Sequence, residues 1–302
     1  DSDHKLIGEV SVKGLTITGL TDAFIKDSQK TLLEKLTIDD CNIEMPASGK
    51  NFIDFNGKGY VGSVKVINST IWAKPKNTGF FAQYGSRPKN INGDWLQEFD
   101  VQNSTIVNIA NGKNFCDLKQ NGTAQNVYTI KNNIFVDCGK SGQVVVGFNK
   151  GQTSATPVWD VTGNTFAWGG ACTNDAEISK AGKKDGEDIV KDCIDGMPEF
   201  ADADNGDFTL GETTAQLAAR IGDPRWLNNN LQPTWAGDVT DPIEIIPVTK
   251  SDPNNPIDLS LLLKGELEIS PNPASITFKL NSDEHYTVSE PLVTGTWINI
   301  ER

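Results

Sequence analysis

Two short patterns of apolar and polar residues alternate along this chain and keep returning. The first is plainest at 36–45, LTIDDCNIEM, where Leu36 and Ile38 alternate with polar residues, Asp40 interrupts and Ile43 resumes. The second, NFIDFNG at 51–57, runs straight into turn residues. Alternation at period two, closed by Asn, Asp or Gly, predicts short strands. The first pattern returns as VKVINSTI, FDVQNSTI, YTIKNNIF and WDVTGNTF. Its starts at 36, 64, 99, 128 and 159 are spaced by 28, 35, 29 and 31 residues. The second returns as FFAQYG at 80–85, NFCDLKQNG at 114–122 and QVVVGFNKG at 143–151, and a weaker pair precedes both at 10–17 and 23–26.

Self-similarity at this period marks a stacked solenoid. A strand-only unit of this length suits one coil of a parallel β-helix; the leucine ladder of leucine-rich repeats and the longer unit of propeller blades are both missing. Helical repeats are excluded because Val, Ile, Thr and Asn crowd the apolar stretches without a 3.6-residue period. In the first strand type, Asp40, Asn68, Asn103, Asn132 and Gly163 align after the two apolar positions. Such residues tolerate left-handed backbone, so they are expected to turn a corner, with Asn68, Asn103 and Asn132 forming a ladder between coils.

The second strand type splits by parity. Ile53/Phe55, Ala82/Tyr84 and Cys116/Leu118, with Val145/Gly147, are expected to point inward. The opposite parity carries Phe24/Lys26, Phe52/Asp54, Phe81/Gln83, Phe115/Asp117 and Val144/Val146. Facing outward, it would present an aromatic and polar strip with one rung per coil. Covered by a loop or placed at a corner, the Phe ladder would be structural. Among the connections, 85–95 holds Arg87, Lys89, Asp94 and Trp95, the one basic and aromatic loop of the coil region and the best candidate lip of a groove.

Composition narrows the possibilities. The net charge of −13 in 302 residues leaves no basic footprint for nucleic acid. An acidic surface would also repel a polyanionic glycan unless a divalent cation intervened. No apolar run is long enough to span a membrane, and the start at Asp1 without an apolar leader reads as a mature or trimmed form whose anchor is unseen. Cys41, Cys116 and Cys138 read as small buried apolar residues; Cys172 and Cys193 could pair as a disulfide, and no spacing suggests zinc. The charged stretch at 176–192 is broken by Gly182 and Gly186 and is expected to hold a short helix near 187–193.

The segment at 197–226, MPEFADADNGDFTLGETTAQLAARIGDPRW, carries Pro198, Phe200 and Asp202, then Asn205–Gly206–Asp207–Phe208–Thr209–Leu210, then Gly222–Asp223–Pro224–Arg225–Trp226. It resembles the closing signature of right-handed β-helix proteins of the pectate-lyase-like group. The last five residues resemble a narrower set of bacterial cell-surface β-helix proteins of unknown function from glycan-utilisation clusters. The usual Ser-Pro-Ala after the Leu is replaced by Thr213–Thr214–Ala215. The resemblance implies an all-β, right-handed parallel β-helix over 1–227, with 197–226 as its cap. Phe200, Phe208 and Leu210 are then expected to lie across the last coil, with Asp223, Arg225 and Trp226 tying the end down. Residues 228–302, with seven prolines from Pro242 to Pro291 among short apolar runs, read as a linker and a small β-rich, sandwich-like module.

Three functions follow as expectations. The first is a non-catalytic, monomeric glycan-binding protein of the extracytoplasmic cell surface, secreted or attached to the outer membrane, with Phe52, Asp54, Phe81, Gln83, Arg87, Trp95, Phe115 and Asp117 contacting a polysaccharide. The second is a polysaccharide lyase acting on an acidic, pectin-like glycan by β-elimination. It would use Lys26, Arg87 or Lys131 as base and Ca2+ held by Asp54 and Asp117. The third is a structural or adhesive surface protein. An aspartate-rich groove favours the lyase, a flat aromatic strip the binder, and a buried Phe ladder the structural protein. His4 and His285 sit near the two ends of the chain, away from every candidate.

Overall fold

In a computed structural model, the structure describes residues 5–27, 29–55, 59–85, 97–118, 126–148 and 157–227, together with three short strands beyond 250. Two compact units divide at Gln232/Pro233. In the second, Ile257–Asp258 pairs parallel to Ile276–Lys279, which pairs antiparallel to His285–Val288.

The first unit is a β-solenoid of about five turns with little helix. Each coil lays down up to three strands. The first has β1 (Lys5–Lys13), β2 (Thr16–Ile17) and β3 (Ile25–Lys26); the second, β4 (Thr31–Asp39), β5 (Asn42–Met45) and β6 (Ile53–Phe55). The third has β7 (Tyr60–Ile67), β8 (Thr70–Ala73) and β9 (Ala82–Tyr84); the fourth, β10 (Gln97–Gln102), β11 (Thr105–Val107) and β12 (Cys116–Leu118). The fifth has β13 (Asn126–Lys131), β14 (Ile134–Val136) and the short helix α1 (Val145–Phe148), and β15 (Val158–Thr162) with β16 (Thr165–Trp168) begins a sixth. Sheet A stacks β1-β4-β7-β10-β13-β15, sheet B stacks β2-β5-β8-β11-β14-β16, and sheet C stacks β3-β6-β9-β12, all parallel. The pairing of Val64 with Phe99 and Val66 with Val101 is the register that the repeat requires.

Parallel strands stacked about 4.8 Å apart place each position of one coil over its counterpart in the next. The inward positions therefore form continuous columns: Leu36, Val64, Phe99 and Tyr128 in sheet A, and Ile53, Ala82 and Cys116 in sheet C, are all buried. The second pattern makes no strand in the fifth coil. There VVGF forms α1, and Phe148 turns into the aromatic interior, its ring 4.8 Å from that of Phe115. A Cβ on Gly147 would come within 2.7 Å of the Phe115 backbone nitrogen, so this helix can approach the core only with glycine there.

The corner forms as expected, but the stitching between coils lies one residue later. Asp40, Asn68, Asn103, Asn132 and Gly163 all have positive φ. Side-chain bonding along this row, exposed at Asp40 and Asn132 and half-buried between, is sparse: Asn132 donates to Asn103 at 3.3 Å, and Asn68 Nδ2 to Asp39 Oδ1 at 3.2 Å. The left-handed residue turns the next side chain inward, and those form the buried ladder. Ser69 Oγ accepts from Cys41 N at 3.0 Å, Ser104 Oγ from Ser69 N at 3.2 Å, Asn133 Oδ1 from Ser104 N at 3.0 Å, and Asn164 Oδ1 from Asn133 N at 3.0 Å. Asn133 Nδ2 also donates to Val101 O at 2.8 Å. Backbone N–H groups at a corner that lack a strand partner are satisfied in this way inside the protein.

The closing segment does not lie across the last coil. It folds back along the outer face of sheet B, where Trp72, Val107, Ile134 and Val136 form an apolar surface that water would otherwise meet. A short hairpin, β17 (Ala171–Cys172) against β16, leads to helix α2 (Asn174–Ala181); β18 (Lys183–Lys184), β19 (Glu187–Asp188) and β20 (Val190–Lys191) follow. The strap itself holds β21 (Phe200–Asp202), β22 (Asp207–Leu210) and helix α3 (Ala215–Ala218). Its contacts then step backward through the coils. Gln216 Nε2 donates to Thr165 Oγ1 at 3.2 Å, Gly222 N to Asn132 O at 2.8 Å, and Asp223 N to Thr105 Oγ1 at 3.1 Å. Asp223 Oδ2 accepts from Thr70 Oγ1 at 2.7 Å, and Arg225 reaches Asp40 Oδ1 at 2.8 Å. Phe208 packs its ring 5.6 Å from Trp72 and 5.9 Å from Trp226. Asp223, Arg225 and Trp226 thus tie the chain to its early coils.

The helix expected near 187–193 lies instead at α2. Gly182 ends it with φ of 75°, and Asp185–Gly186, with φ of 53° and 89°, makes the two-residue turn of the β18–β19 hairpin. Helix α2 covers the far end of the core. Its buried Glu177 accepts from Val144 N at 3.1 Å and Val145 N at 2.5 Å, the backbone entering α1. Burial raises its carboxyl from 4.5 to about 7, against the pull of those N–H groups. Asp223 is likewise raised by burial, to about 6. Cys41, Cys116 and Cys138 are buried as expected. Cys172 and Cys193 are free thiols. Burial, with Asp195 and Cys172 nearby, pushes the Cys193 thiol up to about 12.

Two outcomes test this framework. Asn133→Ala removes the acceptor for Ser104 N–H and should cost about 2–3 kcal/mol in urea denaturation, whereas Asn132→Gly, at the exposed corner, should change stability by less than about 0.5 kcal/mol. Equal effects would refute the buried ladder. Glu177, with its folded pKa raised, stabilises fully below about pH 4.5 and loses that contribution as pH rises through about 7. Stability should therefore fall by up to about 3 kcal/mol between pH 4.5 and 7, and Glu177→Gln should flatten the decline across that window.

Candidate functional site

The strip expected on sheet C is polar but not aromatic. Phe52, Phe81 and Phe115 are buried in a stack, with ring centroids 5.2 Å apart from Phe52 to Phe81 and 4.7 Å from Phe81 to Phe115. Parity fails here for a local reason. β6, β9 and β12 begin one residue later, and Phe52, Phe81 and Phe115 occupy the bend before each strand. Alternation holds only inside a strand, and at the bend the ring turns into the core. These three rings cannot meet a sugar in this structure. Phe24, half-buried in the first coil, stacks on Phe52 at 5.2 Å.

The polar half of the strip is present. Lys26, Asp54, Gln83 and Asp117 are successive partners in sheet C, exposed or half-buried. Asn51 Nδ2 donates to Gln83 Oε1 at 2.8 Å, and Gln83 Nε2 donates to Asp117 Oδ2 at 2.8 Å. This chain of side-chain bonds fixes three polar heads along the solenoid. Beside it stands Phe80, half-buried, whose N–H donates to Asn51 Oδ1 at 2.9 Å and whose ring carries Lys113 Nζ at 5.1 Å. Sequence parity gave no reason to select Phe80, because its position repeats as Asn51 and Asn114 rather than as an aromatic.

Of the candidate catalytic groups, Lys26, Asp54 and Asp117 share the sheet C row and Lys131 does not. Lys26 is bound to Asp22 at 2.9 Å, and that bond raises its pKa while it and the Ala23 N–H help hold Asp22 at about 2. A lysine held more firmly protonated is a poor general base. Lys131 lies on the outer face of sheet A, paired with Asp160 at 2.5 Å, and not on sheet C. Arg87 and Trp95 lie outside the described residues. Asp54 and Asp117 are two rungs apart, about 10 Å, with the Gln83 amide between them. Ligands of one Ca2+ must all lie within about 2.6 Å of it, so this pair does not fit a shared Ca2+. Among the described residues no group of three or more His, Cys, Asp or Glu is placed to hold a metal. The same spacing is only marginally compatible with the carboxylate separation used in glycoside hydrolysis, which reaches about 9.5 Å.

A second concave feature lies at the far end of sheet A. Trp159 stacks on Tyr128 at 4.3 Å and forms one wall of a cleft of about 340 Å3 beneath the β18–β19 hairpin.

Comparison with known proteins adds one match. Residues 99–226 match the model of a domain of unknown function (DUF5123). The matched span begins at β10, in the fourth coil, and ends within the strap at Trp226. No curated protein and no solved structure matches the chain.

Proposed function

We propose that this chain is a non-catalytic glycan-binding protein of the extracytoplasmic cell surface, a member of the pectate-lyase-like β-helix group. The observation that carries this reading is the fixed polar row Asn51–Gln83–Asp117 beside the half-buried ring of Phe80. Amide and carboxylate heads held by one another present donors and acceptors without further ordering on binding. Rungs repeating about every 4.8 Å match an extended polymer better than a compact ligand. An aromatic face beside such groups is the usual composition of a ligand-binding surface. Lys26 tied to Asp22, Lys131 on another sheet, and Asp54 and Asp117 two rungs apart favour binding over β-elimination as the use of these groups.

The buried Phe ladder favours a second reading, a structural or adhesive surface protein, since those rings serve the core. The two readings separate in one assay. Arrayed plant, host and microbial polysaccharides, probed with and without Ca2+, should retain the protein without release of unsaturated uronides. Phe80→Ala and Gln83→Ala should each weaken retention about 5- to 10-fold, the loss of roughly one stacking contact or one hydrogen bond. Absence of retention on every glycan would leave the structural reading, and appearance of unsaturated product would leave the lyase.

A further inference from the structure

We infer that the cleft at Trp159 is a second carbohydrate subsite, one that takes a neutral, hydroxylated sugar ring on the indole face. This rests on the carbohydrate reading above but concerns a different part of the molecule.

Trp159 continues the inward aromatic column of sheet A. Phe99 stacks on Tyr128 at 6.1 Å, and Tyr128 on Trp159 at 4.3 Å. In earlier coils each such ring is covered by the next. Above Trp159 the next strand starts too late, because β20 pairs only Val161 with Val190 and Thr162 with Lys191. The position that would lie over the indole is Asp188, which belongs to the β18–β19 hairpin and pairs with Lys183 instead. One face of a half-buried indole is thus left against a hollow rather than against protein.

The rim decides the ligand. Asp160, Glu187 and Asp188 supply acceptors, Lys184 and Lys191 supply donors, and Thr162 supplies both. Several are already oriented: Lys191 Nζ meets Glu187 at 2.6 Å, and Thr162 Oγ1 donates to Asp192 at 3.2 Å. Carboxylates on the rim disfavour an anionic ligand, and the two lysines disfavour a lone cation. Mixed donors and acceptors around an apolar plate suit vicinal hydroxyls on a ring whose C–H face lies on the indole. The cleft shares Glu187, Asp188 and Lys191 with an adjoining hollow of about 460 Å3, so a bound oligosaccharide has room to continue.

The test uses the full chain and the variants Trp159→Ala, Trp159→Phe, Glu187→Ala and, as an unrelated surface control, Lys35→Ala. Cellotetraose, xylotetraose, mannotetraose and maltotetraose are titrated by calorimetry and by saturation-transfer difference NMR. At least one tetrasaccharide should show transfer to its ring C–H protons. Trp159→Ala should weaken it at least tenfold, Glu187→Ala about threefold and Trp159→Phe less than Trp159→Ala, with Lys35→Ala unchanged. Circular dichroism confirms folding, and Glu187→Ala, on the exposed rim, still decides if Trp159→Ala unfolds. If carbohydrates bind but Trp159 and Glu187 variants bind as tightly as the parent, the subsite is refuted and the carbohydrate reading stands. If neither tetrasaccharides nor arrayed polysaccharides bind, both fall.

Discussion

In-register stacking is the constraint from which the rest of this molecule follows. Once each coil sits over the next, a single choice at one position is repeated along the whole solenoid. An inward Val, Phe or Tyr becomes a column, and an outward Asp or Gln becomes a row. The same rule makes corners demanding. The chain must turn sharply once per coil, and the N–H groups there have no strand partner. Left-handed Asn or Asp makes the turn, and the Ser69–Ser104–Asn133–Asn164 ladder satisfies the N–H groups of the coil beneath. Each ladder side chain is buried, so each bond is made in surroundings where leaving it unmade is costly.

The strap answers a second consequence of stacking. Sheet B faces outward with Trp72, Val107, Ile134 and Val136, a face too apolar for water. The returning chain covers it with Phe208, Leu210, Leu217 and Ile221. The outward hydroxyls of Thr70, Thr105 and Thr165, one on each of three coils, set its register. Covalently continuous with the last coil and bonded to Asp40 in the second, the strap links coils that otherwise touch only their neighbours. A solenoid held only by adjacent repeats can open from an end; one with a lengthwise strap must release many bonds together.

Much of this was legible in the chain. The repeat spacing, the parallel register and the corner residues followed from period-two alternation and from which side chains tolerate left-handed backbone. The inward set Ile53, Phe55, Ala82, Tyr84, Cys116 and Leu118 was equally plain. What failed did so where alternation ends. Phe52, Phe81 and Phe115 share parity with Asp54, Gln83 and Asp117, but sit at a bend, so the parity that holds for the acids and the amide does not hold for the rings. The strap's path was hidden because the closing signature does not state which surface it covers; the outward apolar residues of β8, β11 and β14 were the available signal. Phe80 and Trp159 escaped notice for opposite reasons. Phe80 breaks its column, and Trp159 continues a column whose next rung is missing.

The most direct test of the stacked architecture is native-state hydrogen exchange read at single amides. The N–H groups of Cys41, Ser69, Ser104 and Asn133 donate to side chains of the following coil, not to a strand. If the coils share one interior and one ladder, these corner amides should exchange as slowly as those in the centres of the sheet A strands and open together with them. Fast exchange at these four positions, with slow exchange in the strands, would contradict the account.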